Sequence, residues 1–537
     1  MKGTITIKEA WKDAYRSDQL IQKLIDEVLS QHMQKCRWFG AKNAPIKRYE
    51  ISFAEMIPYN SNKQLAMVLI IEVVFQTAYS EQYYLPLAWV EEDKIDQKEF
   101  ILRKLQCKEG EKVLVEALAV SEYRNDLFEN IAHKKSVKIK EGTISFHRGK
   151  SLKTEAPVSK LLTVEQSNST IVYNDKYFLK IFRKLFRGTN PDYEVSYHLS
   201  ERSDFKNSPI YMGSITLQRD NMYPVSLGLM QMKIENNGEA WSYMLERVKS
   251  YFKNIERRKL KIDQIPKVPL YKGCVPEKLP LTMLDLVGVE TLEKIALLAK
   301  RTAEMHLALF REKTHHEFIP AIFNEDYQVW LHNRLLYQLD NRVAIIENML
   351  EKFKGQTKEW AEEFLENTET IKNLILGFDY QKLNSHRIRI HGDYHLGQVL
   401  MTDDDFYILD FEGEPDSTIR DRKIKQPPIK DVAGMFRSFH YAIFGTIFTD
   451  NPTSLPDDVL IEAGGRYYRT IVAVFLDSYI KSAFENGLDI GYYKEIDYLL
   501  RYHILEKAIY ELGYELNSRP NWAIIPLKGI NQILNND

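Results

Sequence analysis

The stretch 390–415, IHGDYHLGQVLMTDDDFYILDFEGEP, constrains this chain more than any other part of it. Asp393 stands in a polar loop after the apolar strand pattern of 387–390, five residues before the amide of Gln398. A hairpin pattern follows, with strands at 399–401 and 406–409 around an acidic turn at 403–405. That hairpin ends at Asp410, so its turn returns a second carboxylate to the first, with Gln398 between them. The pattern predicts one proton acceptor and two oxygen ligands.

Phosphoryl transfer from ATP needs that inventory. A carboxylate orients the attacking hydroxyl and takes its proton, while hard oxygen ligands hold the Mg2+ that bridges the phosphates. Protein kinases carry it as H-R-D, an Asn five residues after the Asp, then D-F-G. This chain resembles them with His391-Gly392-Asp393, Gln398 and Asp410-Phe411-Glu412-Gly413; Gln replaces Asn, and Glu412 is inserted before the glycine. Two other readings stand beside this one. The first is an ordinary β-hairpin whose carboxylates and amide fall together by chance. The second takes His391, Asp393 and His395 as zinc or iron ligands; it lacks a remote ligand cluster at i, i+4 spacing and leaves Gln398 and Asp410 unexplained.

A phosphate-binding half is expected upstream. Two β-rich runs, 170–173 and 177–182, flank Asn174-Asp175-Lys176 and read as a hairpin carrying Lys180. Glu194 follows just after Asn190-Pro191-Asp192, a helix start with proline in the first turn. In the kinase pattern a strand lysine neutralises phosphates and a helix glutamate holds it, so Lys180 and Glu194 are the expected pair, against the plain reading of two surface charges. No G-x-G-x-x-G run precedes Lys180. The segment 165–170, EQSNST, takes that place, and Ser167, Asn168 and Ser169 offer hydroxyl and amide groups to phosphate or simply make a polar turn. A Walker loop is excluded at Gly149-Lys150-Ser151, because its earlier glycine would fall on Ile144.

Several stretches in family order resemble the bacterial maltokinases, sugar kinases of the aminoglycoside-phosphotransferase branch of the protein-kinase-like fold. They are CRWFGAK at 36–42, EQSNST at 165–170, LKIFR at 179–183, RTAEMHLAL at 301–309 and HGDYHLGQVL at 391–400. DFEGEP at 410–415, DVAGMFRSFHYA at 431–442 and LEKAIYELGYELNSRPNW at 505–522 continue the series. The resemblance implies ATP-dependent phosphorylation of maltose at its anomeric hydroxyl, giving maltose 1-phosphate for α-glucan (glycogen) synthesis. It implies Asp393 as catalytic base, Gln398 and Asp410 as Mg2+ ligands with help from Glu412, Lys180 with Glu194 as phosphate clamp, and Asp431 as a structural brace under the catalytic loop. With no glycoside-hydrolase domain in the chain, coupling to a trehalose-interconverting enzyme would need a separate protein. A kinase for another small sugar, amino sugar or aminoglycoside is the alternative; a catalytically silent binding module would be expected to have lost a metal or clamp residue. The basic stretch 253–267 matches nothing in the family.

The expected fold is α+β and bilobal, protein-kinase-like (aminoglycoside phosphotransferase-like), with an N-terminal α+β cap and a mainly helical C-terminal lobe. Residues 1–100 form the cap, with an amphipathic helix near 19–33 and strands near 46–53, 65–75 and 83–90. Residues 101–232 carry further strands and the kinase N-lobe, and 233–537 the helical C-lobe; Asn236-Asn237-Gly238 suits a hinge whose backbone would hydrogen-bond adenine. Ile295, Leu298, Thr302, Met305 and Leu309 make a buried helical stripe, on which His306 reads as a core histidine. On a C-terminal helix, Lys507, Tyr510, Glu511 and Tyr514 share a face, with Glu506 and Arg519 close by. Such a face is ordinarily solvated; the resemblance makes it the disaccharide site, with His391 and Asp393 at the reactive end.

Charge balance excludes some partners. Lys plus Arg number 73 against 75 Asp plus Glu, a net charge of −2, so nothing points to nucleic acid or an acidic membrane. Three scattered cysteines, Cys36, Cys107 and Cys274, argue against a disulfide framework. The opening MKGTITIKEAWKDAYRSDQL lacks an apolar core of signal length, and the apolar run 65–75 is interrupted by Glu72 and too short to cross a bilayer. A cytoplasmic location is the expectation.

Overall fold

The computed structural model describes residues 3–42, 44–77, 79–95, 97–162, 167–451 and 453–535. The chain divides into two compact units, 1–202 with 209–234, and 203–208 with 235–537.

The first unit is built on two sheets. One has the strand order Ile5–Thr6, Ile101–Cys107, Gly110–Glu116, Ser80–Val90, Gln64–Phe75, Ile46–Tyr59, with Lys184–Leu185 also pairing on Ser80–Val90. The strands expected near 46, 65 and 83 are all present, and this sheet runs on past residue 100 through Glu116. Glu72, the interruption in the apolar run, pairs with Glu50 and Gln82 across the sheet and accepts from Ser80 at 2.6 Å, while Met67 to Ile71 are buried. One face of the sheet is covered by the helical run 18–35 through Leu20, Leu24, Val28, Leu29 and Met33. That run was expected as one regular helix; its middle, Leu24–Leu29, is a π-turn. The other face shares a core with the helix Ser121–Ala132 and the second sheet.

The second sheet has the order Ser136–Ile139, Gly142–Arg148, Tyr211–Arg219, Val225–Met232, Tyr177–Ile181, Ser169–Tyr173, Ser159–Leu161. Its Ser169–Tyr173 and Tyr177–Ile181 strands form the expected hairpin, and Asn174 and Asp175 both take φ of +53°, a left-handed turn that these two residue types tolerate. The helix Pro191–Glu201 starts where its signal placed it, with Asn190 accepting from the Asp192 N–H at 2.8 Å.

The second unit is mainly helical. Val289–Phe310 packs against Asp457–Glu485, and Ile429–Thr449 against Tyr493–Ser518. The hairpin Val399–Met401 with Phe406–Ile408 has the register Val399↔Ile408 and Met401↔Phe406. The Asn236-Gly238 break lies just past the unit boundary at Ile234, and Asn237 N–H donates to Met401 at 2.7 Å. The basic stretch 253–267 is the end of the helix Ala240–Arg258 and the turn beyond it: cations complement the helix C-terminus, Lys259 caps it at φ +54°, and Arg466 holds the Ile262 and Ile265 carbonyls. Cys36, Cys107 and Cys274 are free thiols, and among the described residues no helix is long and apolar enough to cross a membrane.

CRWFGAK has a structural use in the first unit. The Arg183 guanidinium, 1% exposed, lies over the Trp38 ring at 5.1 Å, pairs with the equally buried Glu116, and donates to Ser169 Oγ at 2.8 Å and to the Tyr84 carbonyl at 3.3 Å. Removing one partner of a buried pair strands the other charge. Glu116→Ala should therefore destabilise the protein by about 3–5 kcal/mol, read as a lower denaturant midpoint; an unchanged midpoint would show that the pair is solvated.

Candidate active site

The loop bearing Asp393 is hung from one buried carboxylate. Asp431, in the first turn of Ile429–Thr449, accepts the His391 N–H at 2.8 Å and the Gly392 N–H at 2.9 Å, and meets His306 Nε2 at 3.0 Å. His306 Nδ1 is engaged by Tyr479 Oη at 2.9 Å, so the core reading of His306 holds. Burial would raise the Asp431 carboxyl, yet the hydrogen bond and charge from His306 and the backbone N–H groups hold it below its ordinary value. Thr302 Oγ1 reaches Tyr394 Oη at 2.8 Å, and Gly434 leaves room for the Tyr394 carbonyl, 2.8 Å from where a Cβ would stand.

His391 is turned inward. Its Nε2 donates to the Leu409 carbonyl at 2.8 Å, its Nδ1 faces the Asp393 N–H at 3.4 Å, and it is 1% exposed between Tyr394 and Phe411. Both ring nitrogens are therefore committed to backbone. The ring ties the loop to the end of the hairpin.

The ligand-bearing side follows from the same frame. Leu409 N–H donates to the Gln398 carbonyl at 2.9 Å, and Gln398 Nε2 lies 3.1 Å from Asp410 Oδ2. Asp410 takes φ +60°, and Gly392 and Gly413, at +85° and +74°, approach so closely that a Cβ on Gly392 would stand 3.3 Å from Gly413 Cα. Glu412, half-buried, lies two residues on. His395 accepts the Gly397 N–H on Nδ1 at 3.1 Å, leaving the proton on Nε2, and burial lowers its pKa.

Asp393 meets an ammonium. Lys507 Nζ lies 2.9 Å from Asp393 Oδ1, 3.1 Å from Glu414 Oε1 and 4.5 Å over the Tyr510 ring. Glu414 is held at 2.6 Å by Arg334, which holds Glu506 at 2.7 Å, and Lys430 and His503 complete the Glu506 shell at 2.7 and 2.6 Å. Burial would raise Glu414, but Lys507, Arg334 and Lys430 bring it down to about 2. Burial opposes the Lys507 charge too, and Asp393 and Glu414 nevertheless hold it well above the usual lysine range. The other expected face residues lie further along the helix: Glu511 pairs with Arg437 at 2.7 Å, and Arg519 pairs with Glu515 at 2.8 Å and lies over the Tyr514 and Trp522 rings.

In the first unit, Lys180 Nζ lies 2.8 Å from Asp192 Oδ2, and Glu194 accepts from Thr189 Oγ1. Asp192 is fully buried in the first turn of its helix, where a carboxylate is favoured by the helix dipole. Asn168 and Ser169 accept from Arg183, and Ser167 is exposed; Glu165 and Gln166 of the same motif lie outside the described residues. Sequence reasoning missed Asp192, Glu414 and Arg334. Asp192 was visible as an acidic first-turn residue near a strand lysine, and Glu414 as the second glutamate of DFEGEP.

No family model matches the chain. It is 23% identical over 378 residues to a glucosamine kinase of Streptacidiphilus jiangxiensis, covering 70% of this chain and 73% of that protein. Over 193 residues it is 26% identical to a glucosamine kinase of Mycolicibacterium smegmatis (strain ATCC 700084 / mc(2)155), 32% of this chain and 45% of that one. A solved glucosamine kinase in complex with glucosamine, ADP and inorganic phosphate superposes with a TM-score of 0.61 at 17% identity, over 94% of this chain and 99% of that chain. The chain has the fold of glucosamine kinase. A second solved form of glucosamine kinase gives a TM-score of 0.60 at 16% identity, over 91% and 92%. The expected mixed α+β fold with a helical C-terminal part is thus the observed one.

Asp431→Asn keeps the shape and removes the charge on which this frame hangs. Near pH 7 it should lower stability by about 3 kcal/mol, the scale of hydrogen bonds to a charged group. A carboxyl whose folded pKa is depressed stabilises above its unfolded value, about 4, and loses that contribution as pH falls through the folded value. The stability gap between wild type and variant should narrow from pH 7 to pH 3 in urea titrations; a constant gap would place the effect in shape alone.

Proposed function

We propose that this protein is an ATP-dependent sugar kinase, with glucosamine as the leading acceptor. The observation that carries the reading is the constellation of Asp393, Gln398 and Asp410 on a loop fixed by Asp431; the glucosamine kinase relatives support it. Asp393 orients the acceptor hydroxyl through Oδ2, for which no protein partner occurs among the described residues, and takes its proton as the acceptor's oxygen bonds the γ-phosphorus and ADP leaves. Lys180, braced by Asp192, is assigned to nucleotide phosphate, with Glu194 in the same helix turn. Ser167, Asn168 and Ser169 remain candidates for the same phosphates.

Asp410, Glu412 and the Gln398 carbonyl oxygen are hard oxygen donors of the kind Mg2+ takes, and Gln398 spends its amide N–H on Asp410, leaving that oxygen for a cation. Bound there, Mg2+ would neutralise phosphate charge and align the transferring group. These residues would hold it; Asp393, hydrogen-bonded to Lys507, is kept for the proton.

ATP consumption measured with glucosamine, glucose, maltose, trehalose and kanamycin tests the reading, and turnover should be fastest with glucosamine. No turnover with any sugar would overturn it. Asp393→Asn should cut turnover by roughly two to four orders of magnitude while ATP affinity stays near wild type, and Asp410→Asn should instead raise the Mg2+ requirement.

A second reading, phosphorylation of maltose at its anomeric hydroxyl for α-glucan synthesis, draws on one observation. Tyr514, one helical turn beyond Tyr510, is 46% exposed, an aromatic side chain open to a second sugar ring. Tyr514→Ala should then raise the maltose KM about threefold to tenfold and leave the ATP KM unchanged. An unaltered maltose KM would remove Tyr514 from the acceptor site, and coupling to a trehalose-interconverting enzyme stands or falls with maltose turnover.

A further inference from the structure

We propose that Lys507 is a positioning residue for the base: its ammonium fills a cage made by Asp393, Glu414 and Tyr510, fixes one oxygen of Asp393, and makes the acceptor approach the other oxygen as a neutral hydroxyl. The proposal rests on Asp393 being the proton acceptor of a sugar kinase.

Three observations carry it. The ammonium is shared between two carboxylates, at 2.9 Å from Asp393 and 3.1 Å from Glu414, with an aromatic face 4.5 Å away. These are the features that recognise a primary ammonium: charge-assisted hydrogen bonds on two sides and a ring quadrupole on a third. Second, the cage is built in place. Glu414 is 6% exposed and anchored by Arg334, while Tyr510 is 8% exposed on the helix that carries Lys507. Third, the carboxylates around it already have internal cations: Glu414 has Lys507 and Arg334, Glu506 has Arg334 and Lys430, and Glu511 has Arg437. An ammonium on the acceptor would therefore have to displace the lysine to reach this cage, whereas a hydroxyl meets Asp393 Oδ2 without disturbing it. The amino group of an amino sugar is read away from the reacting hydroxyl.

Removing the ammonium leaves Asp393 and Glu414 as like charges sharing one site, and the Asp393 rotamer loses its fixed partner. Lys507→Met, which keeps the apolar stem, should lower kcat roughly tenfold to a hundredfold, the scale of one charge-assisted hydrogen bond, with the ATP KM little changed. Lys507→Ala should show the same loss and, having an open cage, should regain part of its kcat in millimolar propylammonium; the Met variant, whose stem still fills the space, should not. A purely packing role predicts no amine rescue. Thermal melts supply an arm that needs no turnover: propylammonium should raise the Tm of Lys507→Ala and leave wild type unmoved. Wild-type kcat in the Met variant, or an Ala variant that neither melts higher nor turns over faster with the amine, would overturn the proposal. Should wild type turn over ATP with none of the sugars, the kinase reading falls, and the melts with amine still decide whether the cage exists.

Discussion

A single buried carboxylate, Asp431, sets where the chemistry of the second unit can happen. It gathers two consecutive backbone N–H groups of the loop that bears Asp393 and the imidazole of His306, whose far nitrogen meets Tyr479. Three helices, Val289–Phe310, Ile429–Thr449 and Asp457–Glu485, thereby converge on one point of backbone. Hydrogen bonds to a charged acceptor are strong in a low-dielectric interior, and each lost partner would leave a buried charge short of solvation. The loop is accordingly placed by the helical core, and Asp393 inherits that placement through its backbone.

Around Asp393 the stabilising logic is different. Asp393, Lys507, Glu414, Arg334, Glu506 and Lys430 form an alternating series of three carboxylates and three cations drawn from four separate stretches of sequence. Buried pairs of this kind add little net stability, since desolvation offsets most of the attraction, but breaking one is costly. Their contribution here is geometric: each charge fixes the rotamer of the next, from the helix Glu325–Met349 to Asp393. The low value of Glu414, held by three cations against burial, reports how complete the pairing is.

Local signals were legible wherever one stretch of sequence contained both the cause and its effect. Asn174-Asp175-Lys176 announced a hairpin, Asn190-Pro191-Asp192 a helix start, and the stripe from Ile295 to Leu309 a buried face; all three are in the structure. The Asp393, Gln398 and Asp410 spacing was legible for the same reason, because a short hairpin closes over it. What escaped was decided by distant partners or by ring orientation. Asp192 beside Lys180 was not singled out, because it lies in the same helical turn as Glu194 and residue type alone does not separate the two. The contact of His391 with the Leu409 carbonyl depends on ring orientation, which the sequence does not carry. The partners that Glu506 and Glu511 of Tyr493–Ser518 find in Arg334, Lys430 and Arg437 lie 74 to 172 residues away, beyond the reach of local spacing. The π-turn at Leu24–Leu29 left no mark in the apolar spacing.

The two acidic segments are joined by backbone as much as by side chains. His391 donates to the Leu409 carbonyl, Leu409 N–H donates to the Gln398 carbonyl, and a side chain on Gly392 would crowd Gly413, while one on Gly413 would crowd the Arg422 side chain. Both glycines hold positive φ, a conformation costly to most other residues, so the close approach and the backbone geometry demand glycine together. A frame of this kind fixes the spacing of Asp393 and Asp410 independently of what their carboxylates bind. Replacing either carboxylate by its amide leaves the backbone bonds intact, so a loss of function in such a variant belongs to charge and proton transfer. A side chain at Gly392, by contrast, would move both acids at once.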